Sequence, residues 1–435
     1  MKSRRDAKPP VFVQTAGKDA PVDDHWQQMT EQEAQAAYRM TLANELSGGT
    51  PTVREFEEEF RRLCQTKHGI SVFNGSSALY AAYFGVGLGP GDEIICPSYT
   101  WICTIGPALL LGARPVFCEI DPQTLLVDPE DLRRRITPRT RAIVAVHLWG
   151  WVCDMDAIMA IGREHGIPVV EDCSHAHGAR YKGRPVGGIG DVGAFSLQGS
   201  KPVSAGEGGM IVSNSDEYFE RAVLVSQCNR AAGLDLVTPH YAEYQPLGLG
   251  MKFRSHPLGI GIALVQLRRL DKLNAGRRKW VETVEAGLAD VPCLRPLRRH
   301  EGAEPAGFYG FPVMYDPREL GGLPRERLLE ALNAAGAKAG GSGYPLLHLL
   351  PLFARGFDIF TRDRGPLSGD YPGYKAGDLP ATEDAHQRMV FLRMATDPEP
   401  GLAERYVEAI KRGVAAAWSG GSGQSPTPTG TGVLT

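Results

Sequence analysis

Short apolar runs alternate with longer amphipathic stretches between residues 70 and 171. The runs are rich in β-branched residues, which favours strands, and the stretches between them have helical spacing. Parallel neighbouring strands need a crossover connection, usually a helix, so the alternation predicts a mainly parallel sheet with helices on both faces. The predicted strands cover residues 70–73, 93–96, 115–119, 142–147 and 168–171.

The chain has 435 residues, which is too long for one ordinary hydrophobic core and predicts two domains. A long helical pattern over residues 257–280 is the expected connection between them. We expect a large domain over residues 26–285 that carries the sheet, and a smaller C-terminal α/β domain over residues 286–418. Residues 1–25 are expected to form an irregular arm. Residues 419–435, rich in Gly, Ser, Thr and Pro, are expected to be a disordered tail.

The charge balance and the cysteines argue against several classes of protein. The net charge is −3 with both signs interspersed, which gives no support for a nucleic-acid or membrane partner. Apolar runs stay short of membrane-spanning length, and the N-terminus lacks the pattern of a secretory signal. Eight cysteines without a CxxC pair indicate reduced, mostly buried thiols, not a disulfide framework or a zinc site. These features predict a cytoplasmic protein without a bound metal.

A loop between two apolar runs carries a single lysine, Lys201. The runs cover residues 192–195 and 210–212, and the glycine-rich turn 206–209 separates the lysine from the second run. Two strands thus hold the lysine on a tight loop, with the Ser196 hydroxyl shortly before it. Such an amine can form a Schiff base with pyridoxal phosphate while the hydroxyl binds phosphate. The alternative is a surface hairpin with a solvated lysine.

Two further features fit a flat, anionic cofactor. Residues 74–77 join a strand to a helix start, where backbone N–H groups and the helix dipole favour an anion. The alternative is an ordinary helix cap. Glu171 and Asp172 end a buried strand, at the edge where α/β sheets bind ligands. A carboxylate there could pair with a pyridinium nitrogen or only cap the next turn.

Aromatic and imidazole side chains come from the same edge of the predicted sheet. Trp101 follows a strand and could stack on a flat ring, or else be a core residue. His175 and His177 are separated by one residue, which suits neither one helix face nor a helical metal pair. His175 could instead hydrogen-bond a cofactor oxygen or lie against the ring.

An anion-binding helix start, a strand-end aspartate, a loop hydroxyl and a lysine follow one another on one α/β sheet. That order resembles fold-type I pyridoxal-phosphate enzymes. The sequence also resembles the DegT/DnrJ/EryC1/StrS family of sugar and cyclitol aminotransferases, over residues 45–415. The matching motifs are PSYTW at 97–101, IDP at 120–122, ITPRT at 136–140, AVHLWG at 145–150, ED with AHG at 171–178, FS with K at 195–201, GEGG at 206–209 and YPLLH at 344–348.

The resemblance implies a fold-type I architecture, in which the large domain binds the cofactor, and it implies roles for the matching residues. Lys201 stands at the lysine that attaches pyridoxal phosphate, and Asp172 at the partner of its ring nitrogen. Trp101 stands at the ring-stacking aromatic, and His175 at the residue on or beside the other side of the ring. The implied phosphate contacts are Ser76, Ser77 and Ser196.

The family also implies a homodimer with shared active sites, in which a segment of the partner completes the phosphate site. In this chain that segment is residues 250–254. Lys252 stands where relatives often have asparagine, and a lysine can still reach a phosphate as a point charge.

The implied reaction moves an amino group from glutamine or glutamate to a nucleotide-linked keto-sugar or a keto-cyclitol, in antibiotic or glycan biosynthesis. Candidate substrate contacts are Tyr344, His348 and Arg230, of which Arg230 could equally be a surface charge. The glycine-rich loop 340–343 and an insertion at 361–379, expected to be mobile, would shape the pocket.

Two other functions remain open at this point. One keeps the cofactor but catalyses elimination, cyclisation or aromatisation, as in the aminohydroxybenzoate-forming relatives. The other is a non-catalytic regulator on the same fold. A dehydratase branch of the family replaces the lysine with histidine, and the presence of Lys201 disfavours it.

Overall fold

The computed structural model describes residues 29–230, 236–245 and 247–421. The predicted N-terminal arm lies outside these residues. The predicted tail begins inside the last helix, which continues to Gly421, and otherwise lies outside the described residues. Residues 419–421, the predicted start of the tail, therefore belong to this helix.

The elements of the first part of the chain confirm the predicted alternation, with boundaries that shift by a few residues. They are α1 (Glu31–Leu42), α2 (Pro51–Cys64), β1 (His68–Val72), α3 (Gly75–Gly85), β2 (Glu93–Pro97), α4 (Gly106–Leu110), β3 (Arg114–Cys118), α5 (Pro129–Arg134), β4 (Thr140–Val146), α6 (Met155–His165), β5 (Val169–Asp172), β6 (Arg180–Tyr181), β7 (Arg184–Pro185), β8 (Val192–Ser196), β9 (Gly209–Ser213), α7 (Asp216–Ser226), α8 (Pro239–Ala242) and α9 (Pro257–Gly287).

A seven-stranded sheet forms the centre of this part, in the order β1-β9-β8-β5-β4-β2-β3. The strands from β8 to β3 pair in parallel, and β9 runs antiparallel to both of its neighbours. The expected mainly parallel sheet is confirmed. Because parallel strands end at one edge, the segments that follow β2, β4, β5 and β8 meet there.

The last part of the chain adds a second, antiparallel sheet in the order β10-β12-β13. Helices α10 and α13 contact each other beside it, and α13 also contacts α9. The short strand β11 pairs with β6 and returns the chain to the large sheet's neighbourhood. The elements are β10 (Leu294–Pro296), β11 (Ala303–Glu304), β12 (Phe311–Tyr315), α10 (Arg325–Ala334), α11 (Pro351–Ala354), α12 (Pro380–Arg388), β13 (Met389–Leu392) and α13 (Leu402–Gly421).

Helix α9 joins the two parts, as its helical pattern predicts, and it extends beyond the predicted end. Its N-terminal half packs on α1 and α2, where Arg269 pairs with Glu33 of α1 and Arg268 pairs with Glu59 of α2. Farther along, Trp280 is 1% exposed and donates from Nε1 to the carbonyl of Arg393 at 2.7 Å. Burying the large indole with its N–H satisfied stabilises the junction. One continuous helix therefore sets the position of the second sheet.

The insertion at 361–379 is packed against the large sheet, which corrects the expectation of a mobile loop. The Tyr374 hydroxyl accepts a hydrogen bond from the backbone N–H of Phe117 at 3.0 Å, on edge strand β3. Asp370 pairs with Arg114 at 2.7 Å, and Leu367 is 2% exposed. Covering an edge strand in this way removes an open pairing surface.

Among the described residues, every helix is too short or too polar to span a lipid bilayer. All eight cysteines are unbridged, and seven of them are buried.

Candidate active site

A cavity of about 610 Å³ lies at the edge where the parallel strands end. Its lining includes the segments that follow β2, β4, β5 and β8, the start of α3, and two tyrosines from later in the chain, Tyr309 and Tyr344. This is the position at which open α/β sheets bind ligands. The predicted residues Ser76, Trp101, Asp172, His175, Ser196, Lys201 and Tyr344 all line it.

The N-terminus of α3 faces the cavity. Asn74 caps the helix by accepting from the N–H of Ser77 at 2.8 Å. A β-carbon at residue 75 would lie 2.7 Å from the β-carbon of Ser196, so Gly75 lets the start of α3 approach the end of β8 closely. First-turn N–H groups, the Ser76 side chain and the Ser196 hydroxyl therefore surround one place that suits an anion.

Ser77 is in a different position from the one implied by the resemblance. Its hydroxyl donates to the carbonyl of Asn74 at 2.7 Å and does not line the cavity. The Ser77 side chain is part of the helix cap, as the alternative of an ordinary helix cap proposes. The neighbouring Ser76 lines the cavity.

Lys201 is 9% exposed and lies in the loop after β8. Burial lowers the pKa of its amine to about 8, against a smaller raising effect of the nearby Asp172 carboxylate. The amine nitrogen lies 3.8 Å from the centre of the Tyr309 ring. A buried amine with this pKa exists partly in its neutral, nucleophilic form near neutral pH. The solvated-hairpin alternative is wrong.

The two acids at the end of β5 point to opposite sides. Asp172 lines the cavity, accepting from Thr104 Oγ1 at 2.8 Å and from the N–H of Ser174 at 3.1 Å. Glu171 is fully buried against His147 at 3.0 Å. The Glu171 carboxylate also accepts three backbone N–H groups, from Gly187, Ile189 and Gly190.

Those four donors saturate Glu171, and they hold the pKa of its carboxyl down despite burial, which acts in the opposite direction. The possible ligand atoms of Glu171, His147 and Cys173 lie within 4.8 Å of one another, a spacing that a metal site would also have. The hydrogen bonds already made by Glu171 give it a structural role in the described chain. Of the two acids at the end of β5, only Asp172 faces the cavity.

His175 lies among aromatic rings beside Lys201. Its ring stacks on Tyr309 with centroids 4.2 Å apart, and its Nδ1 accepts from the backbone N–H of Trp149 at 3.2 Å. Burial and the nearby Lys201 lower the pKa of His175 well below its usual value. The neutral ring then carries its proton on Nε2, which faces the Tyr344 hydroxyl at 3.4 Å.

Trp101 is partly exposed, and its ring centre lies 5.1 Å from that of Tyr344. It is therefore at the cavity wall and not in the core. His177, by contrast, is completely buried against Phe195, with ring centres 5.4 Å apart. The two histidines of the motif therefore have different surroundings.

Besides Ser77, three further candidate residues do not line the cavity. Arg230 makes a buried bidentate ion pair with Glu57. His348 is completely buried, with its ring nitrogens facing Ser98 at 2.6 Å and Glu383 at 3.2 Å. Both side chains have partners within the fold and lie outside the cavity of their own chain, so their role as substrate contacts stays a prediction. Lys252 is exposed and outside the cavity of its own chain.

Several cavity residues were missed by sequence reasoning. Thr104 comes from the turn after β2, and Tyr309 from a loop that follows β11, far along the chain. Thr104 follows the PSYTW motif by three residues, and this closeness to Trp101 indicates that it lies at the same edge of the sheet. Nothing in the local sequence of Tyr309 indicates that it meets Lys201, because only the folding of the second part onto the first joins them.

The model of the DegT/DnrJ/EryC1/StrS aminotransferase family matches residues 27–411. A GDP-perosamine synthase of Caulobacter vibrioides is 37% identical over 302 residues, which are 69% of this chain and 78% of that protein. An L-glutamine:2-deoxy-scyllo-inosose aminotransferase of Streptoalloteichus tenebrarius is 33% identical over 318 residues, 73% of this chain and 75% of that protein. The X-ray structure of an aminotransferase from Psychrobacter cryohalolentis has a TM-score of 0.78 at 28% identity, covering 91% of this chain and 99% of that one.

The pKa of Lys201 leads to a testable pH dependence. In full-length protein freed of cofactor, we expect acylation of Lys201 to rise with pH through a midpoint near 8. Asp172→Asn should lower that midpoint, because a neutral amide no longer stabilises the ammonium form. Quantitative peptide mass spectrometry measures both. A midpoint at the ordinary lysine value of 10.5 would contradict the burial of this amine.

Proposed function

Because the chain belongs to the DegT/DnrJ/EryC1/StrS aminotransferase family, we propose that it moves an amino group from glutamine or glutamate to a cyclic ketone, either a keto-sugar or a keto-cyclitol. It is a pyridoxal-phosphate-dependent enzyme. The observation that carries the proposal is the buried amine of Lys201, which shares one cavity with Asp172. These two groups supply the nucleophile and the charge that such a reaction needs.

The described residues fit pyridoxal phosphate. The close approach of Gly75 and Ser196 leaves a small cradle of N–H and hydroxyl donors at the start of α3, which suits the phosphate. Asp172 is 5% exposed and has the charge to hold a proton on a ring nitrogen. Trp101 and His175 supply flat surfaces beside it. We assign the cofactor to these residues and its covalent attachment to Lys201.

When bound, the cofactor supplies an electron sink for the negative charge left when a proton leaves the donor's α-carbon. Lys201 Nζ removes that proton and later returns it, which requires the amine to be neutral when it accepts. Its lowered pKa favours the neutral form. The Asp172 carboxylate would keep the ring nitrogen of the cofactor protonated. The Thr104 hydroxyl donates to this carboxylate at 2.8 Å and orients it.

Replacing the lysine tests the assignment. Lys201→Ala removes both the attachment point and the proton carrier, so we expect no detectable amine transfer from glutamine. The control is Lys182→Ala, since Lys182 is exposed and pairs with Asp156 at 2.6 Å. Absorbance of the bound cofactor and chromatography of the amino product measure the outcome. Transfer by Lys201→Ala at the rate of the control would refute the proposal.

The same incubation separates the other functions. A wild-type protein that converts glutamine and leaves the cofactor in its amine form is a transaminase. Elimination, cyclisation or aromatisation would proceed without that form. A regulator would show no turnover.

The charges at the cavity favour an uncharged acceptor. Among the described lining residues, Lys201 is the only lysine or arginine, while Asp172 and Glu207 are acidic. Because Asp172 is assigned to the ring nitrogen of the cofactor, Glu207 is the carboxylate that would repel the negative charge of a nucleotide diphosphate, whereas a keto-cyclitol brings no such charge. We therefore propose a keto-cyclitol as the acceptor, a class that the inosose aminotransferase of S. tenebrarius also uses by its name.

A competition between acceptors tests this choice. With glutamine as donor, an inosose-type keto-cyclitol should be aminated faster than a GDP- or TDP-linked keto-sugar at equal concentration, as measured by mass spectrometry of the products. Comparing the 2-deoxy and the 3-amino-2,3-dideoxy cyclitol ketones measures how the substituent on ring carbon 3 affects the rate of amination. Faster amination of the nucleotide-linked ketone would contradict the charge argument.

We also propose a homodimer with shared active sites. Apolar side chains are exposed at Phe73, next to the cap residue Asn74, and at Tyr244, Leu247, Leu249 and Met251. Exposed apolar surface of this kind marks a protein interface. The neighbouring segment 250–254 is held at the edge of the same sheet, where the N–H of Phe73 donates to the carbonyl of Phe253 at 2.8 Å. Exposed Lys252 is then available to the partner's phosphate cradle.

Subunit mixing tests the shared site. Lys201→Ala and Lys252→Glu subunits should each be inactive alone, and a refolded mixture should regain activity, because one site of each hybrid dimer has both lysines. Mass photometry gives the oligomeric state in parallel. Full activity of Lys252→Glu alone, or no recovery in hybrids shown to form, would contradict a shared site.

A further inference from the structure

Tyr309 lies at the centre of the contacts around Lys201. It comes from the loop between β11 and β12, in the second part of the chain. Its ring centre is 3.8 Å from Lys201 Nζ and 4.2 Å from the centre of the His175 ring. An aromatic face this close to an amine attracts its cationic form and, whatever its charge, covers it from water.

The hydroxyl of Tyr309 reaches the loop that carries the lysine. It lies 2.8 Å from Ser200 Oγ. The Ser200 hydroxyl donates to Gln198 Oε1 at 2.6 Å, so its oxygen is left to accept from Tyr309. Gln198 Oε1 also accepts from the backbone N–H of Ser200 at 3.0 Å. Tyr309 therefore contacts the amine of Lys201 with its ring and the Ser200 side chain, in the turn before the lysine, with its hydroxyl.

The loop of Tyr309 is held firmly in place. The N–H of Gly307 donates to Asn274 on α9 at 3.0 Å, and Arg277 on the same helix donates to the Gly307 carbonyl at 3.1 Å. Gly307 has a φ of 77°, and a β-carbon there would collide with the carbonyl oxygen of His175. Only glycine permits this approach. Helix α9 thus holds the loop against the segment that carries His175.

We infer that Tyr309 is a positioning residue for Lys201, an inference that rests on the proposed role of that lysine. The ring covers the amine and keeps it inside the cavity when it is not bonded to the cofactor. The hydroxyl, through Ser200, keeps the loop from opening. The second part of the chain thereby controls the placement of the reactive group of the first. A lysine side chain has many rotamers, and restricting them aligns the amine with the donor's α-carbon.

Three variants separate the role of the ring from that of the hydroxyl. Tyr309→Phe keeps the ring and removes the link to Ser200, and Ser200→Ala removes the same link from the other side. Tyr309→Leu removes the ring as well. Tyr315→Leu is the matched control, because Tyr315 is buried on the adjoining strand β12 and its hydroxyl donates to Leu323 at 2.7 Å, away from the cavity.

The first measurement is independent of turnover. Full-length protein freed of cofactor is treated briefly with acetic anhydride above the midpoint of Lys201, and acetylation is quantified by mass spectrometry. We expect Lys201 to react several-fold faster in Tyr309→Leu than in the wild type, because the ring no longer covers it. Tyr315→Leu should react as the wild type does. Tyr309→Phe keeps the ring but loses the hydroxyl link to Ser200, so it should react at a rate between those of the wild type and Tyr309→Leu.

The second measurement uses the holoenzyme. We expect Tyr309→Leu to lower kcat by about 100-fold through misplacement of the amine, with KM for glutamine nearly unchanged. Tyr309→Phe and Ser200→Ala should show a smaller, equal loss. Melting curves and cofactor content identify any variant that fails to fold, and Tyr309→Phe then carries the test.

Two results would overturn the inference. One is acetylation of Lys201 in Tyr309→Leu at the wild-type rate. The other is equal acceleration in Tyr315→Leu, which would indicate general loosening. If wild-type enzyme transfers no amino group, the proposed function fails, while the acetylation rates still decide whether Tyr309 covers the amine.

Discussion

Burial of the Lys201 amine is the constraint on which the site depends. The shift of its pKa from 10.5 to about 8 corresponds to about 3 kcal/mol in favour of the neutral amine. The folded state therefore bears a cost at neutral pH, which is full below pH 8 and disappears as the pH rises through 10.5. Asp172 and the Tyr309 ring reduce this cost by stabilising the charged form. Reactivity arises because the surrounding fold holds the amine where water cannot solvate it.

The end of β5 shows how one residue of spacing separates structure from chemistry. Side chains alternate across a strand, so Glu171 and Asp172 face opposite sides of the same sheet. Glu171 joins His147 and the turn at 187–190 into a rigid support. Asp172 faces the cavity, where Thr104 and the backbone of Ser174 orient it. A slip of one residue in register would exchange the two acids, so that Glu171 would face the cavity without the hydrogen bonds that orient Asp172.

The second part of the chain also builds the site. Helix α9 carries Asn274 and Arg277, which hold the loop of Tyr309, and Trp280, which anchors β13. Tyr344 adds a ring that faces both Trp101 and His175. The cavity is therefore closed by residues from both parts, and the junction between them is a functional contact. The division into domains at residue 286 remains a proposal, because β11 pairs back with β6 beyond that point.

The sequence by itself determined the class of fold and the chain-order motifs. The period of apolar residues predicted the parallel sheet, and short-range patterns around Lys201, Asp172 and the start of α3 predicted their shared edge. Such features depend on local spacing and on the rule that parallel strands end together. Only the tertiary structure decided that Ser77 caps a helix, that Arg230 and His348 have buried partners, and that Tyr309 covers Lys201. Those outcomes depend on which groups meet across long stretches of chain, and local pattern carries no record of such contacts.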